Sequence, residues 1–532
     1  MKKHFAVLLS LVMLFLLAVG CSSNTGSTTN NGGDATGDGS ETTGGGTAIL
    51  QAYGDPMNFC PDISSDDNFY LAAQNIYSRL TKLDANCNVI PDLADSWEYS
   101  DDGMTLTFHL NEDATWHDGE PVTAEDVKYT FEYIRDHDTC VLSSNLAIVD
   151  EIEVADDHTA VFHLNKADMS LVATLSWYGC FVLPEHIYNN GQDWSENEAT
   201  TTHPIGSGPF KFSEYNQGQN MILEANPDYF RGAPKLERLI ISIIPDDTTA
   251  MQSLTNGELD WAINTPVNMV EQLSANEDVR LDVNQLPSPT RLVFNLENEL
   301  VSDLAVRQAI AMCIDREDIS EKVTNGIRPV EYSAYPSVSW AANTEDTYPA
   351  LDLEAAEQVL IDAGYTKDAD GYYVRGLSIL TFDSDGNPDV ARLIAANCES
   401  IGIEMDIEVL EYNAWSQRVE LDRDYVIELQ GGFVGPDPAA MQNLLRTDAY
   451  SNVSGYSNTP VDELLDLAAA ESDQDIRKEH YHEIQQIVVQ DLPYINIMEY
   501  AVYEASSASL HDIPMDGADQ WGWAEWTYAY FE

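Results

Sequence analysis

The sequence is poor in basic residues. Its 532 residues include 25 Lys and Arg against 90 Asp and Glu, which gives a formal net charge of −65 at pH 7. A face that binds nucleic-acid phosphates or anionic lipid needs Lys and Arg, so the composition argues against both partners. The acidic residues are spread along the chain, which favours a solvated surface that also attracts cations.

Several motifs that carry chemistry are also missing. No G-x-S-x-G segment occurs, so no nucleophile elbow is indicated. His482 and Glu483 lack the second His of an H-E-x-x-H zinc site, and the 11 His do not form a compact cluster. The acidic segment 383–389 misses the spacing of an EF-hand calcium loop. We therefore expect no enzyme, no cofactor and no metal site.

The cysteines show no C-x-x-C spacing, which argues against a zinc site. Outside the cytoplasm some of them could form disulfides, and buried free thiols are the alternative. The sequence does not choose among the pairings. The cysteines that follow Cys21 are Cys60, Cys87, Cys140, Cys180, Cys313 and Cys398.

The N-terminus has the features of a targeting segment. Lys2 and Lys3 precede a short apolar run at 5–18, which is too short for a comfortable membrane span. The run ends in LAVG before Cys21, which resembles a bacterial lipobox and implies lipidation of Cys21, with residues 1–20 as the signal peptide. An ordinary secretory peptide with a coincidental Cys is the alternative. Residues 21–46 are rich in Gly, Thr and Ser and predict a flexible linker.

The segment 91–131 predicts a hairpin followed by a helix. Asp102 and Gly103 favour a tight turn, because Gly accepts the positive φ that such turns need. Apolar residues alternate with polar ones at 106–110, which is the period of a half-buried strand. Thr123 with Asp126 three residues later predicts a helix start.

Other periodicities predict further elements. Alternation predicts a strand at 403–409, and helical spacing predicts helices at 353–363, 390–401 and 476–489. The apolar run 239–244 predicts a buried strand.

Several words in the sequence, in this order, resemble one known family. They are LADSWE at 93–98, the segment 102–131, PIGSGPFKF at 204–212, NPDYF at 226–230 with GAPK at 232–235, and GELDW at 257–261. In the Gly-rich word at 204–212, Pro209 follows the second glycine in place of the Lys-Ser/Thr pair that completes a phosphate-binding P-loop. Together the words resemble the peptide/nickel-type solute-binding proteins of ABC importers, solute-binding family 5.

The resemblance implies an α/β protein of the periplasmic-binding-protein type II class. Two mixed α/β lobes would enclose a cleft, and an extra small lobe would mark the peptide-binding subclass. Lobe I would comprise 47–86, 203–286 and 500–532, the small lobe 87–202, and lobe II 287–499. The chain would cross the hinge near residues 286 and 500.

The implied function is that of a substrate-binding lipoprotein, anchored outside the cell, which captures short peptides and delivers them to the membrane permease. A monomer is expected. Within the family, a nickel, metal-chelate or other small-solute binder is the alternative. From other classes, a membrane-anchored hydrolase with paired carboxylates and a ligand-sensing receptor remain open.

The loop 430–438 is where specificity is expected. In peptide-binding members its backbone pairs with the ligand, and a carboxylate in it holds the ligand ammonium. Here that position is Val434. This departure puts recognition of a free amino terminus in doubt. Asp437 either supplies the charge instead or shapes the turn between Pro436 and Pro438.

The remaining expected contacts combine aromatic walls with a few polar groups, as ligand pockets usually do. Any one of these aromatic residues is more often part of the core than a ligand contact. Arg291 and Arg446 suit a ligand carboxylate by the fork geometry of their side chains, or serve internal ion pairs. The expected ligand-binding residues are Asn58, Phe59, Ser65, Asp66, Trp177, Arg291, Trp340, Trp415, Gly431, Phe433, Asp437 and Tyr456.

Overall fold

The computed structural model describes residues 45–63, 67–84, 87–177, 179–384, 386–432, 434–435, 437–449, 451–514 and 525–532. The predicted signal peptide and nearly all of the linker, including Cys21, lie outside the described residues, as do Ser65, Asp66 and Phe433. Within the described ranges, no helix has both the length and the apolar character needed to cross a membrane.

The strands form one large sheet and three small ones. In chain order they are β1 (Thr47–Ala52), β2 (Thr81–Leu83), β3 (Val89–Pro91), β4 (Ala94–Tyr99), β5 (Thr105–Leu110), β6 (Val149–Asp156), β7 (Thr159–Leu164), β8 (Phe210–Asn216), β9 (Asn220–Ala225), β10 (Arg238–Ile243), β11 (Trp261–Ala262), β12 (Val279–Phe294), β13 (Val374–Phe382), β14 (Ile403–Leu410), β15 (Ile427–Gly431), β16 (Tyr494–Ser507), β17 (Leu510–His511) and β18 (Tyr530–Phe531).

The helices lie between these strands, and short 3₁₀ turns and one π-helical turn connect some of them. In chain order they are α1 (Asp67–Ile76), α2 (Ala124–Asp136), α3 (Leu171–Thr174), α4 (Glu185–Tyr188), α5 (Glu198–Thr201), α6 (Asp247–Thr255), α7 (Val270–Ser274), α8 (Leu304–Met312), α9 (Arg316–Thr324), α10 (Leu353–Asp362), α11 (Asn387–Ile401), α12 (Tyr412–Ser416), α13 (Gln442–Leu445), α14 (Thr459–Ala470) and α15 (Gln474–Asp491).

The large sheet runs through the whole folded body. Its ten strands follow the order β14-β13-β15-β12-β16-β11-β1-β10-β9-β8, and the sheet is mixed, with parallel pairs towards β14 and around β1 and antiparallel pairs at the centre and towards β8. Strands β12 and β16 lie at its centre and pair antiparallel along almost their full lengths. They form a two-stranded ribbon that joins the two halves of the sheet.

The ribbon is irregular near its middle. The register between β12 and β16 shifts between Leu286 and Pro289, and again between Thr290 and Arg291. Pro289 lacks a backbone N–H, so the hydrogen-bonded ladder is weakened at this point. Ladder irregularities bend a strand locally, which makes this the part of the ribbon best suited to flexing.

Two large hydrophobic cores lie on either side of the ribbon. The first draws its buried residues from between Ala48 and Ile263, with Leu510, Trp526 and Ala529 from the C-terminal segment. The second draws them from between Leu292 and Met498. The four-stranded sheet β4-β5-β7-β6 belongs to the first core. The exact lobe boundaries stay predictions.

The hairpin and helix predicted at 91–131 are confirmed. β4 and β5 form the hairpin, and Gly103 has a φ of +67° in its turn. Leu106 and Phe108 are fully buried on one face of β5. At the start of α2 the N–H and hydroxyl of Thr123 both donate to Oδ2 of Asp126, at 2.8 and 3.1 Å.

The Gly-rich word at 204–212 serves close packing. A Cβ added at Gly206 would lie 2.0 Å from the carbonyl oxygen of Ile76, and one at Gly208 would lie 2.7 Å from that of Asn75. The Gly208 N–H donates to the Ile76 carbonyl at 2.8 Å. Only glycine permits this approach to the end of α1.

The strand predicted at 239–244 is confirmed as β10, but its burial is not continuous. Leu239 and Ile241 are buried, whereas Ile240 and Ile243 are only half-buried. β10 pairs with β1 on one side and with β9 on the other. One face of this part of the sheet is therefore less well covered than an apolar run on its own suggests.

Candidate functional site

A cavity of about 300 Å³ opens between the two cores. One wall carries Ser170, Thr174 and Trp177 from the segment around α3, together with Asn145 from the 3₁₀ turn Asn145–Ile148 before β6. The opposite wall belongs to the second core and its loops. Ligand sites occur preferentially at the interface between two separately packed domains, so this cavity is the candidate ligand site.

The first wall is held by a short chain of hydrogen bonds. Asp168 accepts from the N–H and the hydroxyl of Ser170, at 2.9 and 2.6 Å. Thr174 returns a hydrogen bond to the Ser170 carbonyl at 3.3 Å. The Met169 N–H donates across to the Ala469 carbonyl in α14 at 2.9 Å, so the two walls already touch.

Arg291 is the cation of the opposite wall. It lies on β12 beyond the irregular point of the ribbon and is only 5% exposed. Its Nη2 donates to the Gly432 carbonyl at 2.9 Å. Its Nε is buried and has no hydrogen-bond partner among the described residues. A buried donor without a partner is costly, and an acceptor that reached it would relieve that cost.

Glu428 lies on the same face of the sheet as Arg291. Arg291 pairs with Gln430 across β12 and β15, and Glu428 is two residues further along β15, so the two charges face each other diagonally. Burial raises the pKa of Glu428 to about 8, although Arg291 and a hydrogen bond from Gln430 oppose the rise. Below that pH Glu428 is mostly neutral and does not cancel the charge of Arg291.

Asp437 forms an ion pair with Arg477. Its Oδ1 accepts from Nη2 of Arg477 at 2.7 Å and from the Ala439 N–H at 2.9 Å. The guanidinium of Arg477 lies 5.4 Å from the ring centroid of Trp340. Burial acts to lower the pKa of Arg477, but the charge of Asp437 outweighs it and raises that pKa above its usual value. Asp437 therefore shapes the turn and forms a buried ion pair.

The cavity consequently has a positive balance in a very acidic protein. Arg291 and Asp437 are the charged side chains among the described residues that line it, and Arg477 neutralises Asp437. Val434 also lines the cavity, and its N–H donates to the Pro287 carbonyl on the ribbon at 3.1 Å. The described lining thus presents one uncompensated cation and no free carboxylate.

The structure brings together Trp177, Arg291 and Asp437 of the residues predicted from sequence, with Val434 beside them. Gly431 ends β15 at the edge of this loop, opposite Thr290. Trp340 stands behind Asp437 through its contact with Arg477.

Other predicted residues lie elsewhere. Asn58 accepts the Cys60 N–H at 2.8 Å in a local turn, and Phe59 packs at 5.3 Å against each of three aromatic rings in the first core. Trp415 is buried against Phe382, and Tyr456 donates to Asp491 at 2.6 Å in the second core. None of these four is among the described residues that line the cavity.

Arg446 forms an exposed ion pair. Its Nη2 donates to Oδ1 of Asp466 at 2.6 Å, so its alternative role as a structural partner is the one that the contacts favour.

Sequence reasoning missed the polar part of the lining. Asn145, Gln442, Asn443 and Ser451 line the cavity, and Arg477 fixes Asp437 from α15. Single amides and hydroxyls in loops carry no distinctive sequence pattern. Arg477 offered a weak signal, because the chain has so few basic residues that each buried one has a partner or a ligand to serve.

This architecture defines a type II periplasmic binding protein, with a cavity between two α/β bodies that a central ribbon connects. Residues 88–452 match the sequence profile of the bacterial extracellular solute-binding proteins, family 5 Middle. The chain belongs to this family, and the family resemblance seen in the sequence is confirmed.

Relatives and solved structures agree with this assignment. The oligopeptide-binding protein AppA of Bacillus subtilis is 29% identical over 510 residues, covering 93% of each chain. The crystal structure of the ABC transporter substrate-binding protein CtaP of Listeria monocytogenes matches with a TM-score of 0.82 at 26% identity, covering 92% of this chain and 99% of that one. AppA in complex with a nonapeptide matches with a TM-score of 0.72 at 26% identity, with the same two coverages.

Proposed function

We propose that this chain is the substrate-binding lipoprotein of an ABC importer that captures short peptides outside the cell and passes them to the membrane permease. The observation that carries the proposal is the cavity between the two cores, with the buried and partly unpaired Arg291 in its wall. The similarity to AppA, an oligopeptide-binding protein solved with a nonapeptide, supports peptide as the cargo. The mechanism is binding without covalent chemistry.

In this proposal the peptide is oriented by its carboxylate. Arg291 lines the cavity and carries a guanidinium group, and a carboxylate matches the fork of such a group. No described residue of the lining offers an unpaired carboxylate to an ammonium, because Val434 occupies the usual position and Arg477 pairs with Asp437. The cargo is therefore recognised at a carboxylate, and its amino terminus contributes little.

Ligand binding would act on the ribbon. A peptide that touches both walls stabilises the closed arrangement by its differential affinity for that state. The bend at Leu286 and Pro289 would accommodate the opening. The cavity of about 300 Å³ is at the small end of ligand sites, which favours a short peptide or the tight capture of one part of a longer one.

The test uses the full chain and matched peptides. Native mass spectrometry of the purified protein first identifies co-purified ligand, and calorimetry then compares each binding peptide with its carboxy-terminal amide and its N-acetyl form. Loss of one charge-assisted hydrogen bond costs about 1.5–3 kcal/mol, so we expect amidation to weaken binding by roughly tenfold or more. N-acetylation should change it far less. If no peptide binds while a nickel chelate does, the peptide proposal is wrong.

The lipid anchor is a separate part of the proposal. Cys21 and the lipobox lie outside the described residues, and the support is the sequence pattern alone. Cys21→Ala should move the protein from the membrane fraction to the soluble fraction without changing peptide affinity. Retention of the variant in membranes would contradict lipidation at this residue.

A further inference from the structure

The loop that lines the cavity carries a carboxylate, and a cation outside the lining neutralises it. Asp437 lines the cavity and is 8% exposed. The two hydrogen bonds that it accepts from described residues, one from Arg477 and one from the Ala439 N–H, both go to Oδ1. A carboxylate in this position would suit a ligand ammonium if its charge were not already paired.

Arg477 reaches Asp437 from the second core. It lies in the first turn of α15, is 7% exposed and is not among the described residues that line the cavity. A cation is unfavourable at the start of a helix, because the macrodipole has its positive end there. The ion pair with Asp437, at 2.7 Å between Nη2 and Oδ1, offsets this cost.

Further contacts hold the guanidinium of Arg477 in this position. Its Nε donates to the Ala468 carbonyl in the last turn of α14 at 3.2 Å. Its central carbon lies 5.4 Å from the ring centroid of Trp340 and 5.8 Å from that of Tyr481. The two rings pack edge-on at 6.0 Å. A guanidinium fixed on several sides stays with Asp437 when a ligand enters, so the neutralisation belongs to the folded chain.

We propose that Arg477 is a specificity-determining residue, which keeps Asp437 neutralised and so prevents the cavity from recognising a ligand ammonium. The proposal rests on the proposed peptide cargo and identifies the residue that makes the cavity indifferent to the amino terminus. With Arg477 present, Arg291 is the uncompensated charge of the described lining. Without Arg477, the cavity would present a carboxylate and a guanidinium, a pair that complements both charged ends of a short peptide.

Ligand selectivity distinguishes this role from that of a purely structural ion pair. Removal of a structural partner leaves a buried charge, lowers stability and changes the affinity for all ligands alike. Removal of a specificity-determining cation raises the affinity only for ligands that carry a free ammonium. The informative quantity is therefore the ratio of two affinities in one variant, because the folded fraction of the sample affects both equally.

The experiment measures the binding of trialanine and of N-acetyl-trialanine to the full chain by calorimetry. At about pH 6.5 the amino group of trialanine is charged. We expect a ratio of the two affinities near one in wild type. In Arg477→Met the ratio should favour trialanine by roughly tenfold or more, the effect of one charge-assisted hydrogen bond. Methionine keeps an unbranched apolar chain against Trp340 and Tyr481.

Three variants serve as controls. Arg477→Lys keeps the positive charge and should keep the ratio near one. The double variant Asp437→Asn with Arg477→Met should also return the ratio to near one, because the carboxylate is gone. Arg446→Met breaks an ion pair on the surface and should leave the wild-type ratio unchanged.

Two outcomes would overturn the proposal. A tenfold preference of wild type for trialanine would show that Asp437 is not neutralised. A ratio near one in Arg477→Met, with folding verified by circular dichroism, would show that the released carboxylate does not hold an ammonium. If Arg477→Met does not fold, Arg477→Gln gives the same test, because its amide can donate to Oδ1 of Asp437 without a charge.

The proposed function and this inference fail separately. A wild type that binds neither probe contradicts capture of such a peptide. An Arg477→Met variant that then binds trialanine still supports the role of Arg477, whereas a variant that also binds neither probe overturns it.

Discussion

The segments 91–131 and 431–438 differ in what the sequence says about them. Short sequence motifs in the first segment identify the family, and nearly all of these motifs lie in the hairpin β4-β5 or the helix α2. The second departs from the peptide-binding pattern at Val434 and lies at the cavity. The family is thus most recognisable in its scaffold, whereas the loop proposed to set specificity is where the pattern is broken.

The largest expected effect belongs to the scaffold. Phe108 is fully buried and packs edge-on against Phe162 at 5.5 Å. Phe108→Ala should lower the free energy of unfolding by about 3–5 kcal/mol, measured by urea denaturation, because it leaves a cavity in the first core. Peptide affinity of the folded fraction should not change. Tyr528→Ala, at a position 57% exposed, is the control and should have little effect.

The second largest effect is expected at the cavity, and it concerns peptide affinity instead of stability. Arg291→Gln removes the cation of the cavity and should weaken binding of a peptide carboxylate by about 1.5–3 kcal/mol, or tenfold or more, in calorimetric titration. Arg446→Gln is the matched control, because Arg446 pairs with Asp466 on the surface. Equal peptide affinities of the two variants would show that Arg291 does not bind the ligand carboxylate.

A third effect concerns pH. Burial raises the pKa of Glu428 to about 8, so the carboxyl group is neutral below that pH and becomes a carboxylate above it. An ionised Glu428 competes with the ligand for Arg291. Affinity for a peptide carboxylate should therefore be highest below pH 8 and fall as pH rises through 8, by at most about tenfold per pH unit for a single proton.

Glu428→Gln should flatten this dependence, because the amide does not ionise. Affinities of wild type and variant should be similar at pH 6 and diverge at pH 9. Glu258→Gln, at an exposed position, should keep the wild-type profile. A variant Glu428→Gln that loses affinity as steeply as wild type would assign the pH dependence to another group.

The smallest expected effect is on stability and concerns the start of α2 in the scaffold. Thr123→Ala removes one of the two hydrogen bonds that Asp126 accepts from Thr123 at the start of α2. We expect a loss of about 1 kcal/mol in the free energy of unfolding and no change in affinity. Thr344→Ala, at an exposed loop position, is the control. A tenfold change in peptide affinity for Thr123→Ala would show that the small sheet takes part in recognition.

The elements with strong local signals were predicted closely. The helices expected at 353–363 and 390–401 are α10 and α11, and the latter ends at Gly402 with a φ of +95°. The strand expected at 403–409 is β14. In the two helices the apolar period and the terminating glycine agree, and in the strand the alternation agrees with its burial, so the local and the tertiary preferences coincide.

The predictions were weaker where a residue has two equivalent uses. Phe59, Trp415 and Tyr456 were expected at the ligand and are buried in the cores. An aromatic side chain next to a turn looks the same in sequence whether it packs inward or lines a pocket. The burial of 239–244 was overestimated for a similar reason, because an apolar run does not report how well its second face is covered.

By itself, the sequence determined the family, the course of most helices and strands, and the local turns and caps. These depend on residues a few positions apart, whose geometry the backbone transmits directly. Only the tertiary structure decided the composition of the cavity. Trp177, Arg291 and Asp437 meet there from distant segments, and Arg477 cancels the charge of Asp437 from 40 residues away. Charge balance and burial depend on contacts between distant segments, which no local pattern records.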